Sequence, residues 1–303
     1  MITVQNLTKR YGDHVAVDDV SFVCKPGQVT GFLGPNGAGK STTMRIIAGL
    51  TPATSGSATV GGVAYTDIPN PGTEVGVLLD ASAQHAGRTG AEILTLSALT
   101  MGLPRRRVDE MLDLVSLSPK EAGRRVRNYS LGMRQRLGIA NALIGDPRIL
   151  ILDEPANGLD PAGIHWMRSL LRDYANRGGT VLLSSHLLHE IEIIADEILV
   201  IGQGRIVTAG TKDSLLAGAG TRVRSLDDVA LFDALRRADI RTQAVPDGGF
   251  TTDATPEEVG RAAAAAGVAL IELRTGDGAQ LEEMFLQLTA DTQREQPTPQ
   301  GAL

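Results

Sequence analysis

A glycine-rich segment at residues 34–42, GPNGAGKST, constrains the fold of this chain more than any other feature of its sequence. It matches the pattern of a glycine, four further residues, and then glycine-lysine-serine. A β-rich run ends directly before it at Leu33, and a helix-like run, STTMRIIAGL, begins at Ser41. Because glycines carry no Cβ, such a loop can bring its backbone N–H groups close to a polyphosphate. The segment therefore predicts a strand, a phosphate-binding loop and a helix within an α/β fold.

The residues of this loop divide into those that surround the phosphates of ATP and those that carry chemistry. Backbone contacts are expected from Gly34, Pro35, Asn36, Gly37, Ala38 and Gly39. Lys40 places a full positive charge against the β and γ phosphates, and the Ser41 hydroxyl, followed by Thr42, enters the oxygen shell of Mg²⁺. The partial positive charge of the helix start adds to this attraction. The alternative is a glycine-rich turn before a helix, and the complete pattern in its predicted setting favours the nucleotide site.

Two adjacent carboxylates follow a second apolar run, RILILDEP at residues 148–155. Open α/β sheets place ligand chemistry where their strands end. We expect Asp153 to hold Mg²⁺, directly or through water, and Glu154 to orient and deprotonate the attacking water. His186 follows another apolar run at the same edge of the sheet and can donate a hydrogen bond to the γ phosphate. Taken alone, such a carboxylate pair is more often solvated or a helix cap, and a lone histidine is as often structural. The phosphate loop favours catalysis for the carboxylates.

The composition limits the classes of protein to which the chain can belong. Its 303 residues, of which 42% are hydrophobic, suffice for about two domains with buried cores. A formal net charge of -6 disfavours a protein that neutralises nucleic-acid phosphates, so we expect no direct nucleic-acid partner. Cys24 is the only cysteine, which excludes an internal disulfide and a thiolate metal cluster within one chain. Because no signal-peptide pattern follows Met1, we expect a reduced, cytoplasmic setting.

The order of β-like and helical patterns predicts two domains and a tail. Residues 1–219 are expected to form an α/β core with a helical insertion at about 81–140. Residues 220–290 are expected to form a small α+β domain, and the polar tail at 291–303 to be disordered. Predicted helices cover 91–101, 108–117, 227–238, 257–266 and 280–288. Predicted strands cover 148–154, 180–186, 242–245 and 269–273, and a hairpin covers 197–210.

The segment NYSLGMRQRLGIANAL at residues 128–143 resembles the signature motif of ATP-binding cassette (ABC) proteins. Ser130, Leu131, Gly132 and Met133 stand where that family usually has Ser-Gly-Gly-Gln, and Gln135 and Arg136 match the residues that follow. Leu131 and Met133 are departures that leave the helix-opening Ser130 and Gly132 intact. The resemblance covers about residues 1–215.

The resemblance implies roles for further residues. Tyr11 resembles the aromatic that stacks on adenine, His186 the switch histidine, and Gly158-Leu159-Asp160-Pro161 the loop that contacts a second cassette. Where the family carries a glutamine at the end of a strand, this sequence has Asp80, as a subset of exporter ATPases for antibiotics and drugs does. Asp80 can ligate Mg²⁺ but reaches less far toward the nucleophilic water. Gln84, four residues later, is the weaker candidate for the glutamine.

The family also implies partners. Two cassettes pack head to tail, so that the phosphate loop of one and the Ser130 segment of the other enclose each ATP. With one phosphate loop and one signature, a homodimer is expected before a pair with a related cassette. No apolar run reaches the roughly 18–20 residues that cross a bilayer, so a separate transmembrane permease subunit would supply the span. The segment from Asp80 through Arg88 would receive a helix of that subunit, which places the chain peripherally at the cytoplasmic face of the membrane.

The expected fold class is therefore α/β, a P-loop NTPase cassette core with an antiparallel β subdomain and a helical insertion, plus a small α+β C-terminal domain. The expected function is the ATP-hydrolysing subunit of an exporter for a drug, an antibiotic or another hydrophobic substrate. The alternative is a soluble cassette protein that acts on ribosomes or DNA, but those carry two cassettes, long coiled coils or zinc cysteines. A nucleotide-binding module without turnover is disfavoured because Lys40, Asp153, Glu154 and His186 are all present.

Overall fold

The computed structural model describes residues 1–186, 188–211, 214–215, 220–245 and 248–275. Contacts divide the chain into two compact units, and the second begins at Gly210. The predicted domain boundary near residue 219, the helix predicted over 280–288 and the tail at 291–303 lie outside the described residues. No helix in the described ranges combines the length and the apolar character needed to span a bilayer.

The first unit contains the predicted strand, phosphate loop and helix, followed by the helical region and further strands. Its strands are β1 (Ile2–Tyr11), β2 (His14–Cys24), β3 (Val29–Leu33), β4 (Ser55–Val60), β5 (Val75–Leu78), β6 (Ile149–Leu152), β7 (Thr180–Ser185), β8 (Glu197–Gly202) and β9 (Arg205–Thr211). Its helices are α1 (Lys40–Ile47), α2 (Gly90–Thr100), α3 (Arg106–Leu114), α4 (Pro119–Ala122), α5 (Leu131–Leu143), α6 (Pro161–Asn176) and α7 (Leu188–Ile194).

A six-stranded sheet in the order β5-β6-β7-β3-β8-β9 forms the centre of this unit. Strand β3 pairs in parallel with β7 on one side and with β8 on the other, and β6 pairs in parallel with β5 and β7. Every residue of β3, β6 and β7 is buried, as expected for parallel strands covered on both faces. Because the three strands run in the same direction, their carboxyl ends meet at one edge of the sheet.

A second, antiparallel sheet in the order β2-β1-β4 packs over one face of the first. The core between them includes Phe22, whose ring centroid lies 5.6 Å from that of Phe32 on β3. Met44 of α1 is fully buried in the same core. The antiparallel sheet therefore fixes both the strand before the phosphate loop and the helix after it.

Helices α2 to α5 occupy the region predicted as a helical insertion. A capping box between Thr89 and Glu92 starts α2, and Ser130 caps α5. Helix α3 ends at Leu114, three residues before the predicted end. The reason is Ser116, whose φ of +55° turns the chain left-handed after the last helical turn.

The described residues of the second unit form a four-stranded sheet packed against two helices. The strands are β10 (Thr221–Ser225), β11 (Gln243–Ala244), β12 (Phe250–Thr252) and β13 (Leu270–Thr275), in the order β11-β12-β10-β13. The helices are α8 (Asp228–Arg237) and α9 (Pro256–Ala265), close to the two predictions there. A small core joins Val223 of β10 to Leu231, Leu235 and Val259 on the helices. Strands β10 and β12 were not predicted from the sequence.

Candidate nucleotide site

The phosphate loop connects the end of β3 to the start of α1 and depends on glycine at specific positions. Gly39 has a φ of +108°, and a Cβ there would lie 2.5 Å from the carbonyl oxygen of Ala16. A Cβ on Gly34 would lie 2.5 Å from the carbonyl oxygen of Ile201. Neither contact is possible, so the neighbouring backbone requires glycine at both positions. Gly37 has a φ of +83° with open space around it, which leaves that part of the loop accessible.

Lys40 is the first residue of α1, and only 5% of it is exposed. Its ammonium donates hydrogen bonds to the carbonyl oxygens of Gly34, at 2.5 Å, and Pro35, at 3.3 Å. Burial lowers the pKa of this ammonium, and the charges of Glu154 and Asp153 oppose that shift. The loop therefore holds a charged group against its own backbone, with carboxylates on one side.

Asp153 and Glu154 follow the end of β6, where the chain makes an unusual turn. Glu154 has a φ of +49°, a left-handed backbone conformation that residues other than glycine rarely adopt. Its N–H donates to the hydroxyl of Ser184 on β7 at 2.9 Å, and this hydroxyl donates to a carboxylate oxygen of Asp153. Ser184 thus ties both acids to the neighbouring strand. No role was predicted for this serine from the sequence, although a hydroxyl inside a strand buried on both faces was a signal for one.

The carboxylate of Glu154 joins two other residues predicted from the sequence. Its Oε2 lies 2.8 Å from Nδ1 of His186, and its Oε1 lies 3.8 Å from Nζ of Lys40. His186 directly follows β7 and its side chain is 39% exposed, so its ring can reach a ligand. The structure therefore brings Lys40, Glu154 and His186 together at the edge where β3, β6 and β7 end. Together they offer a phosphate-binding charge, a carboxylate base and a ring donor.

The residues predicted to hold Mg²⁺ offer oxygen atoms, which this cation prefers. Ser41 is exposed at the second position of α1, and Asp153 is partly exposed at the end of β6. The described part of the chain contains no group of three or more His, Cys, Asp or Glu side chains placed for a metal. Proteins that bind Mg²⁺ with a nucleotide usually supply one or two oxygens, and the phosphates supply others.

Asp80 is engaged in its own turn. Its Oδ1 accepts hydrogen bonds from the N–H of Ser82, at 2.7 Å, and from the hydroxyl of Ser82, at 2.6 Å. These bonds stabilise the ionised form and lower the pKa of Asp80. The amide of Gln84 donates to the carbonyl oxygen of Arg134 at 3.0 Å, on helix α5. A metal-binding role for Asp80 stays a prediction.

The residues that resemble the signature motif form a second cluster with the loop before α6. Ser130 accepts a hydrogen bond from the N–H of Met133 at 3.2 Å and caps α5. Asp160 caps α6 by accepting from the N–H of Gly163 at 2.9 Å. The side chain of Leu131 packs on Gly158, and a Cβ on Gly158 would lie 2.3 Å from that side chain. A Cβ on Gly132 would lie 2.8 Å from the carbonyl oxygen of Gly158.

A cavity of about 460 Å³ lies beside this cluster. Ser130, Gly132, Met133 and Asp160 line it, together with Arg136, whose guanidinium lies 4.8 Å from the ring centroid of Trp166. The cavity makes this second cluster accessible to a ligand.

Tyr11 is the last residue of β1, an element that contributes no other residue to the two clusters. Half of the residue is exposed, and Nζ of Lys9 lies 4.8 Å from its ring centroid. The exposed ring is available for stacking, and its role toward adenine stays a prediction.

Comparisons with known proteins match the two units separately. Residues 17–157 match the family model described as ABC transporter, and residues 219–282 match a domain of unknown function. The chain is 40% identical over 210 residues to a bacitracin transport ATP-binding protein of Bacillus licheniformis, which covers 68% of each chain. It is 37% identical over 209 residues to a lantibiotic transport ATP-binding protein of Streptococcus pyogenes, which covers 68% of this chain and 89% of the relative.

Solved structures show similarity in fold. An ATP-binding subunit of an ABC transporter is 30% identical with a TM-score of 0.65, over 71% of this chain and 91% of that one. A dimeric ATP-binding cassette in a post-hydrolysis state, bound to ADP and Pi, also has a TM-score of 0.65, over 70% of this chain and 99% of that one. At 23% identity, the second similarity concerns the fold alone.

Proposed function

We propose that this chain, which belongs to the ABC transporter family, is the ATP-hydrolysing subunit of an exporter for drugs or antibiotics. The family and the cassette fold predicted from the sequence are confirmed. Relatives named for bacitracin and lantibiotic transport support the class of substrate. The observation that carries the proposal is the convergence of Lys40, Glu154 and His186 where three parallel strands end.

The arrangement of these residues supports a direct route to hydrolysis of ATP. Lys40 binds the β and γ phosphates through its buried ammonium. Glu154 accepts a proton from a water molecule while the oxygen of that water attacks the γ phosphorus. The bond between that phosphorus and the bridging oxygen of ADP then breaks. His186 holds the Glu154 carboxylate and donates to a γ-phosphate oxygen. Mg²⁺, held by Ser41 and Asp153, would neutralise charge on the phosphates.

Two copies of the chain would form each complete site. Ser130 to Met133 of one copy cover the ATP held by the phosphate loop of the other, and Asp160 lies in the loop at the dimer contact. Support comes from the cavity beside Ser130, which is open to a ligand, and from the dimeric relative of the same fold. ATP then closes the dimer, and hydrolysis at Glu154 opens it.

A separate transmembrane subunit would convert this motion into export. The segment after Asp80 is suited to receive a helix of that subunit, because residues 85–88 are all exposed beside the helical region. The chain would then sit peripherally at the cytoplasmic face of the membrane. Homology to transport ATP-binding proteins supports this placement.

Deletion of the gene in its native host tests the proposal. We expect greater sensitivity to bacitracin or to a lantibiotic, restored by the wild-type gene and not by Glu154→Gln. The purified full chain should hydrolyse ATP with Mg²⁺ and lose this activity in EDTA. Unchanged sensitivity to both antibiotics would reject the proposed substrate class, and absence of Mg²⁺-dependent turnover would reject the ATPase site.

A further inference from the structure

Gln135 is a buried polar residue that the proposed mechanism does not use. It lies in the second turn of α5 with only 3% of its surface exposed. Its side-chain Nε2 donates a hydrogen bond to the main-chain carbonyl oxygen of Glu154 at 3.2 Å. A helix that begins beside Ser130 therefore contacts the backbone of the proposed catalytic base in the same chain.

The backbone of Glu154 needs support from its surroundings. Its φ of +49° lies in the left-handed region, which persists in a residue with a side chain only when neighbouring groups hold it there. The direction of the carboxylate toward His186 and Lys40 depends on this conformation, because the Cα–Cβ bond turns with the backbone. A return to an ordinary φ would swing the carboxylate away from both.

Two hydrogen bonds hold this residue from opposite sides. The N–H of Glu154 donates to Ser184 on β7 at 2.9 Å, and its carbonyl oxygen accepts from Gln135 on α5 at 3.2 Å. The first bond fixes the peptide group before the Glu154 Cα, and the second fixes the peptide group after it. Both backbone dihedrals are thereby restrained, one by the sheet and one by the helix.

We propose that Gln135 is a positioning residue, which holds the Glu154 backbone so that its carboxylate faces the nucleotide. The inference rests on the proposed function, in which Glu154 is the general base. It also links the two ATP sites of the dimer. Ser130, at the start of α5, faces the ATP of the partner copy. Gln135 lies on the same helix and contacts Glu154, which acts on the chain's own ATP, so a shift of α5 would affect both sites.

The variant Gln135→Met removes the donor while keeping a side chain of similar length and flexibility. We expect kcat for ATP to fall roughly 10- to 100-fold, because a small misplacement of a reacting group has an effect of that size. KM should stay within about twofold, since the phosphate-binding groups are untouched. The matched control is Ser97→Ala. It removes a 2.5 Å hydrogen bond from Ser97 on α2 to Asn141, which lies on α5 as Gln135 does, without touching Glu154. It should keep kcat.

A double variant separates positioning from general support of the fold. In a Glu154→Gln background, Gln135→Met should not lower the residual rate of ATP cleavage any further, because its effect acts through the carboxylate already removed. A multiplicative loss would overturn the inference. Where Gln135→Met does not fold, Gln135→Asn, which retracts the amide by one carbon, should give the same selective fall in kcat.

The same measurements distinguish failure of this inference from failure of the proposed function. If wild-type chain does not hydrolyse ATP, or if Glu154→Gln hydrolyses it normally, the proposed function is wrong. If both behave as expected and Gln135→Met keeps the wild-type kcat, only the positioning role is wrong.

Discussion

Nδ1 of His186 lies 2.8 Å from Oε2 of Glu154, while the other oxygen of that carboxylate faces the Lys40 ammonium at 3.8 Å. One carboxylate is thus held between a residue that follows β7 and a residue that begins α1. Each contact uses a different oxygen, so the plane of the carboxylate is fixed. The arrangement couples the phosphate loop to the two strands beside it.

We predict that His186→Ala lowers kcat at least about 10-fold while the Kd for ATP changes less than about threefold. The variant removes the donor that orients the Glu154 carboxylate, a contribution within the usual range for acid-base groups. Steady-state kinetics and calorimetric titration measure the two quantities. A wild-type kcat would show that the 2.8 Å contact with Glu154 has no catalytic effect.

Lys40→Ala should weaken binding of ATP itself. A hydrogen bond to a charged group contributes about 1.5–3 kcal/mol, which corresponds to a roughly 10- to 150-fold higher Kd. Lys25→Ala is the matched control, because that lysine pairs with Glu197 at 2.7 Å away from the loop. Calorimetry on both variants should separate them. Equal affinity for wild type and Lys40→Ala would remove Lys40 from the phosphate site.

Because the pKa of Lys40 is lowered, we predict that the affinity for ATP falls as the pH rises above neutral. Burial shifts this pKa below 10.5, so the ammonium loses its proton earlier than an exposed lysine does. Below the folded pKa the buried charge costs stability, and this cost is relieved as pH rises through it. ATP prefers the charged form, so its Kd should rise as the pH is raised from neutral toward 10.5, the ordinary pKa of a lysine. Lys40→Arg should lack this dependence, and a wild-type Kd constant over the range would contradict the account.

Asp80→Gln tests the departure from the family's glutamine. One carboxylate oxygen of Asp80 accepts both hydrogen bonds from Ser82, so we expect the substitution to leave ATP affinity unchanged. Turnover measured with the membrane subunit present should change, because this segment leads into the proposed docking region. As a control, Ser82→Ala removes the hydroxyl donor and should raise the pKa of Asp80 toward its ordinary value. Identical turnover for wild type and Asp80→Gln would make the aspartate a neutral variation.

The sequence predicted those parts of the fold that local patterns determine. Glycines at 34, 37 and 39 predicted the loop because its geometry requires them, and the continuous apolar run at 149–152 predicted a strand buried on both faces. Strand β10, TRVRS, was missed because arginines alternate with Val223 in a short segment. Its place in the sheet depends on pairing with β12 and β13, which lie far along the chain.

The candidate site was predicted residue by residue, but its internal contacts were not. Ser184 and Gln135 come within hydrogen-bonding distance of Glu154 only because β7 pairs with β6 on one side, while α5 packs against β5, the strand on its other side. Such contacts depend on the register between elements and on the left-handed turn at Glu154. Neither is visible in the spacing of residues along the chain.

In the proposed mechanism, ATP closes a dimer and hydrolysis at Glu154 opens it. Light scattering on the full-length Glu154→Gln chain, with Mg²⁺ and with or without ATP, tests it most directly. We expect twice the monomer mass with ATP and the monomer mass without it, while wild type returns to monomer as ATP is consumed. A Glu154→Gln chain that binds ATP and stays monomeric at every protein concentration would contradict it.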